Sequence, residues 1–223
     1  MKWIWPGNKL QLTHQKQRKL PEPETQRSLA LKTLTQRLRK EKQYNVLDLG
    51  CSVRQNIEFC SNFCRKLYIE DFYCTLSSFD FLAPEDGVPL ETVYQYLLPF
   101  QPGTHFDIIL AWDLLNYLEE FEFRELMSHL DRFCRRDTLL LAFISTHKSI
   151  PERPARYSII DHETIASQKL SDIVRPCPQY QEPQLVKLMP GYVVLNSYLL
   201  RNGFKEYLFS FSPAGHSKRR FLR

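Results

Sequence analysis

Asp48 and Gly50 stand at the end of a short apolar run, Asn45-Val-Leu-Asp-Leu49, which breaks at the glycine before Cys51 and Ser52. A glycine there lets the backbone turn sharply and approach a ligand with no Cβ in the way. The helix expected next offers unpaired N–H groups and a positive dipole end, a setting for a carboxylate or another anion. Asp48 has two readings, a buried partner for loop amides or a direct ligand contact. A second apolar run, Leu67-Tyr-Ile69, closes on Glu70 and Asp71. An acid at such a strand end can accept hydrogen bonds from a pair of sugar hydroxyls, or be a solvated turn residue. Asp80 lies within a third, weaker run, Ser78–Leu82. Trp112 and Asp113 follow the clearest strand of all, Phe106–Ala111, where Trp112 reads either as ligand-lining or as core.

Metal chemistry is not expected. Cys60 and Cys64, with Cys51 and Cys74 nearby, lack paired C-x-x-C knuckles and neighbouring histidines, and Asp161-His-Glu163 has no second histidine at metalloprotease spacing. The six cysteines read as reduced thiols of a cytoplasmic protein, because the amino terminus has no apolar signal core.

The elements that must position these residues alternate. Residues 26–42 show leucines at helical spacing (31, 34, 38) with interleaved cations and predict an amphipathic helix. Strand 45–49, helix 56–66, strand 67–69 and weak strand 78–82 follow, then a helix at 92–98 within an insertion. Strand 106–111, helix 119–135 and strand 138–144 come next, with the strands apolar on both faces. That pattern predicts an α/β protein with a parallel sheet covered by helices. Residues 147–190 hold six prolines and read as a long irregular excursion, a lid with a small helix near 161–170. A helix over 193–201 and a strand over 204–211 complete the chain.

Charge divides the 223 residues into three. Residues 1–44 carry eleven Lys and Arg against three Glu, and residues 214–223 add four cations with no acid. The middle, 45–213, is therefore acidic. The basic ends are either plainly solvated or able to meet nucleic acid or a membrane surface. No stretch is apolar over the length a membrane span needs.

Val46-Leu-Asp-Leu-Gly-Cys51 resembles the first motif of class I S-adenosylmethionine-dependent methyltransferases. Further features keep that family's order: Glu70 closing the second strand, Phe106-Asp-Ile-Ile-Leu-Ala-Trp-Asp-Leu-Leu-Asn-Tyr-Leu118 at the fourth, Leu139–Ile144 at the fifth, and Leu199-Leu-Arg-Asn-Gly-Phe204 before the last. The resemblance covers about 45–146 and 191–212. It implies a Rossmann-like sheet, mostly parallel with an antiparallel last strand, flanked by helices. It also implies S-adenosylmethionine as cofactor, held by Asp48, Gly50, Ser52, Glu70 (or its neighbour Asp71), Asp80, Trp112 and Asp113. The family's second and third glycines are Ser52 and Arg54 here. A long cation at Arg54 either occludes the pocket, points away, or pairs with a carboxylate.

In such an enzyme the methyl group is displaced in line, and alignment is the main task. An oxygen acceptor also needs a base, for which His147 and Tyr157 are the candidates. The amino-methylating N/D-P-P-Y/F signature is absent after the fourth strand, and Cys177-Pro178 is misplaced for cytosine methylation. A small-molecule, quinone or lipid-like acceptor is expected. The rival expectation is an inactive binding or scaffolding module whose basic ends contact nucleic acid, membrane or protein.

Overall fold

The computed structural model describes residues 20–78 and 89–213. Asp80 and the weak strand 78–82 beyond its first residue lie outside the described residues, as do most of the two basic ends.

The frame is one six-stranded sheet. Its strands are β2 (Tyr44–Asp48), β3 (Cys64–Ile69), β4 (Phe106–Trp112), β5 (Cys134–Ser145), β10 (Tyr192–Leu199) and β11 (Phe204–Phe211), in the spatial order β10-β11-β5-β4-β2-β3. β2 pairs in parallel with β3 and β4, and β4 in parallel with β5. Only β11 runs against its neighbours, β5 and β10. This is the mostly parallel sheet with an antiparallel last strand that the resemblance implies.

Successive side chains alternate between two cores. Val46, Ile108, Leu110, Leu141 and Phe143 face one side, where helix α1 (Leu29–Gln36) supplies Ala30, Leu31 and Leu34. Leu47, Ile109, Leu140, Ala142 and Ile144 face the other, under α4 (Leu90–Leu97), α5 (Glu120–Asp131) and α6 (Glu182–Leu188). Two short helices, α2 (Arg54–Ser61) and α3 (Phe72–Ser78), follow β2 and β3. α1 starts on a built cap: Ser28 Oγ accepts from the Leu31 N–H at 3.1 Å, and the buried Glu206 carboxylate accepts from the Ala30 N–H at 3.1 Å. Both satisfy helix-end donors, and the carboxylate suits the positive dipole end.

Several expectations are corrected. The predicted helix over 193–201 is strand β10; Tyr192, Val193, Val194 and Tyr198 favour a half-buried strand, and β11 supplies its ladder. The predicted helix over 56–66 ends at Ser61, and its last residues open β3. The helix over 26–42 is preceded by strand β1 (Glu24–Arg27) and confined to 29–36. Residues 147–190 are not irregular. They form β6 (Ser149–Pro151), β7 (Arg156–Ile159), β8 (Thr164–Gln168) and β9 (Val174–Pro176) besides α6, and no helix stands at 161–170. β7 and β8 form a hairpin that β1 extends, and β6 pairs with β9. The β1–β8 and β6–β9 pairings join segments far apart in the chain, which local periodicity does not report.

Candidate functional site

At the carboxyl end of β2 the chain turns at Gly50, and Asp48 is buried beneath the turn at 1% exposure. Three donors use its carboxylate: the Gly50 N–H at 3.0 Å, the Asn56 side-chain amide at 3.3 Å and the Trp112 indole N–H at 2.6 Å. Burial raises the Asp48 pKa, and these hydrogen bonds oppose the rise. Asp48 thus holds the bend in place from below. Asn56 extends the tie, donating also to the Tyr157 carbonyl at 3.1 Å and accepting from the Ile159 N–H at 2.7 Å. In this way α2, β2 and β7 are joined by one buried amide.

Trp112 is the residue that shapes the bend. Its φ of 48° is unusual for a bulky side chain, and it sits where the register of β4 on β5 shifts. The indole turns back over Gly50, so that a Cβ at Gly50 would lie 2.7 Å from its Cδ1 atom. The Asp48 bond and a parallel stack on Tyr157, with ring centroids 5.2 Å apart, hold this conformation.

Beside the bend lies a cleft of about 440 Å3, at the carboxyl ends of β2 and β4. Gly50, Cys51, Asp71 and the segment Ala111–Leu114 line one side, and Arg153–Arg156 of the excursion the other. Asp71 enters the cleft, with its Oδ1 accepting from the Cys74 N–H at 3.3 Å. Glu70 lines a separate groove with Tyr68 and Phe100, and its Oε1 accepts from the Thr75 hydroxyl at 2.7 Å. Adjacent residues after a strand face apart, which is why one acid reaches the cleft. Ser52 is exposed, outside the cleft lining. Arg54 points to solvent and pairs with Glu58 at 2.7 Å. The guanidinium lining the cleft beside the bend is instead Arg156; burial raises the pKa of the Cys51 thiol, and the nearby Arg156 opposes the rise.

Asp113 lines this cleft and a second cavity of about 330 Å3, which also holds His147 and Tyr157. Its Oδ2 accepts from the Ala155 N–H at 3.1 Å, and its buried Oδ1 has no such partner. Burial pushes the carboxyl up to about 7, opposed first by the hydrogen bond from the Ala155 N–H. Tyr157 is driven well above the ordinary phenol value by the same burial. His147 Nε2 meets the Asn202 carbonyl at 2.8 Å, so its ring is fixed on the turn before β11. Among the described residues, no cluster of His, Cys, Asp or Glu could hold a metal ion, and no helix is long and apolar enough to cross a membrane.

The structure thus brings Gly50, Trp112 and Asp113 together at one cleft, with Asp48 beneath it. Sequence reasoning had no signal for Arg153, Arg156 or Asn56. The arginines arrive on a distant excursion, and Asn56 is one of two adjacent amides, with Gln55, on a short helix.

No protein-family model matches the chain, and no curated protein matches it. Among solved structures it is similar to a S-adenosylmethionine-dependent methyltransferase from Clostridium acetobutylicum, at 10% identity and a TM-score of 0.49 over 82% of this chain and 90% of that one. It is similar also to an amino pentose methyltransferase from Micromonospora echinaspora with S-adenosylmethionine bound, at 13% and 0.47 over 82% and 90%. A third is the 1,6-didemethyltoxoflavin N1-methyltransferase of Burkholderia thailandensis, at 10% and 0.45 over 83% and 79%. What the cleft of this chain can hold follows from its own residues.

Proposed function

We propose that the cleft binds S-adenosylmethionine and that the protein transfers its methyl group to a small acceptor reached from the second cavity. The observation that carries this reading is the cleft itself: about 440 Å3 at the strand ends, with an acid on one wall and a guanidinium on the other. That volume lies within the range of about 300–1,000 Å3 usual for small-molecule sites. Asp71 would accept the ribose hydroxyls. Arg156, with the amides after Gly50, would hold the carboxylate of the amino-acid portion through its planar fork. Ala111–Asp113 would border the adenine. Bound there, the cofactor supplies a methyl group already activated on a sulfonium.

The chain's own task is then alignment, exclusion of water and removal of one proton. Asp113 is the group for that proton. It is buried, faces both cavities and has a carboxyl pKa near neutrality, whereas Tyr157 is too reluctant to ionise and the ring of His147 is turned to the Asn202 carbonyl. An acceptor hydroxyl or amine would pass its proton to the Asp113 carboxylate as the new bond to carbon forms.

Calorimetry with S-adenosylmethionine and S-adenosylhomocysteine tests the reading. Saturable binding is expected, weakened about 10- to 100-fold by Asp71→Asn, the usual worth of hydrogen bonds to a charged acceptor. No heat at millimolar ligand would overturn it. A second reading, a module on the same fold that transfers nothing, is favoured by one observation: the Trp112 ring already fills the face of Gly50. Binding that appears only in Trp112→Ala would establish that reading.

A further inference from the structure

At the opposite end of the same sheet lies a groove of about 840 Å3. Six cations line it: Arg37 and Arg39 after α1, Lys42 before β2, Arg65 on β3, and Arg135 and Arg136 on β5. Only two carboxylates, Asp107 and Asp137, stand among them. Asp107 is committed, with Oδ1 to Lys42 at 2.7 Å and Oδ2 to the Asn45 N–H at 2.9 Å. No ion pair engages the guanidinium groups of the five arginines among the described residues.

The backbone is shaped to present them. The register of β4 on β5 jumps from Phe106–Cys134 to Ile108–Leu139, so β5 bulges over 135–138. Asp137 there has a φ of 70°, and the Thr138 hydroxyl accepts from the Arg135 N–H at 2.9 Å while donating to the Phe106 carbonyl at 2.7 Å. The bulge throws two adjacent arginines to the rim. Ser210 of β11 also lines the groove. The described chain ends at Pro213, just past it, and the residues that follow carry Lys218, Arg219, Arg220 and Arg223.

We infer that this groove is a docking site for the phosphate backbone of a nucleic acid. Five of the six cations are arginines, whose planar fork matches phosphate oxygens in pairs. They converge from three separate segments on one concave surface, as a linear polyanion requires. A lipid surface would call for an apolar anchor, and none of the exposed large apolar side chains lies in the groove. The groove is at the amino ends of β2 and β4 and the cleft at their carboxyl ends, so the strand docks away from the cleft and is not the methyl acceptor. The inference goes beyond the proposed activity and does not depend on it.

Fluorescence anisotropy of the full chain with labelled 20-nucleotide single-stranded RNA, single-stranded DNA and duplex DNA, over a salt series, tests it. Binding should weaken steeply with salt, and the variant Arg39→Gln, Arg135→Gln, Arg136→Gln should lose at least about 30-fold in affinity and about 2 to 3 from the log–log salt slope. These side chains are exposed, so an unchanged melting curve checks the fold. Undiminished binding by the triple variant would assign the effect to the tails and overturn the groove. Equal affinity for polyglutamate, or binding to phosphatidylserine vesicles without binding to any oligonucleotide, would overturn it as well.

Discussion

The two ends of the central sheet treat charge in opposite ways. At the carboxyl end, Asp48 and Asp113 are buried, and each must be answered locally: Asp48 by three donors, Asp113 by the Ala155 N–H and a carboxyl pKa raised to about 7. At the amino end, the arginines are exposed and no ion pair among the described residues engages them. Desolvating an isolated charge costs several kcal/mol, so the buried acids are tied to fixed positions and shape a cavity. An exposed cation keeps its hydration until a ligand arrives, and is available for long-range attraction. The carboxyl end is built for geometry and the amino end for charge.

Salt should divide the ends most sharply. Raising it from 50 to 200 mM is expected to weaken oligonucleotide binding by about three orders of magnitude if some six phosphates are engaged. Cofactor affinity at the cleft, measured in the same buffers, should stay within a few-fold because a partly buried site is screened much less. Equal salt dependence of the two would erase the distinction.

Next in size is Asn56→Ala. It removes a buried amide with three protein partners and leaves the Ile159 N–H without its acceptor, so a loss of about 3 kcal/mol is expected in urea unfolding. A loss below about 1 kcal/mol would mean that the Asp48 network does not hold the bend.

Asp113→Asn follows, read through pH. The Asp113 carboxyl is harder to ionise folded than unfolded, so the unfolded chain sheds its proton first as pH rises. Its contribution to stability therefore declines from about pH 4 to about pH 7 and is constant above that. Asparagine cannot ionise and can still accept from the Ala155 N–H. The variant should gain on the parent across that window, by a total of a few kcal/mol. Parallel stability–pH curves would place the group in a wetter site. Under the proposed function the same variant also loses methyl transfer.

The smallest effect is expected from Arg54→Ala. Its guanidinium is exposed and pairs only along its own helix, with Glu58. Melting temperature and ligand affinity at the cleft should both be unchanged. A clear gain in affinity would show that the side chain enters the cleft after all.

What the linear sequence determined was local and repetitive. Apolar runs such as Ile108–Ala111 and Leu139–Ile144, flanked by helical spacing, specify strands buried on both faces between helices. The glycine after Leu49 and the paired acids after Ile69 mark where those strands stop. Tertiary structure decided everything that depends on closure between distant segments. The resemblance in the sequence pointed to Glu70, with Asp71 only as its neighbour; the pairing of β3 on β2 turned Asp71 into the cleft and Glu70 away. Residues 192–199 became a strand because β11 offered a ladder beside them, interrupted only between Val194 and Asn196. The Trp112–Tyr157 stack, the arginine beside Cys51 and the gathering of cations from α1, β3 and β5 join residues far apart in the chain. Periodicity reports which face of an element is apolar, a property of neighbours; which faces meet is fixed only when the whole sheet has assembled.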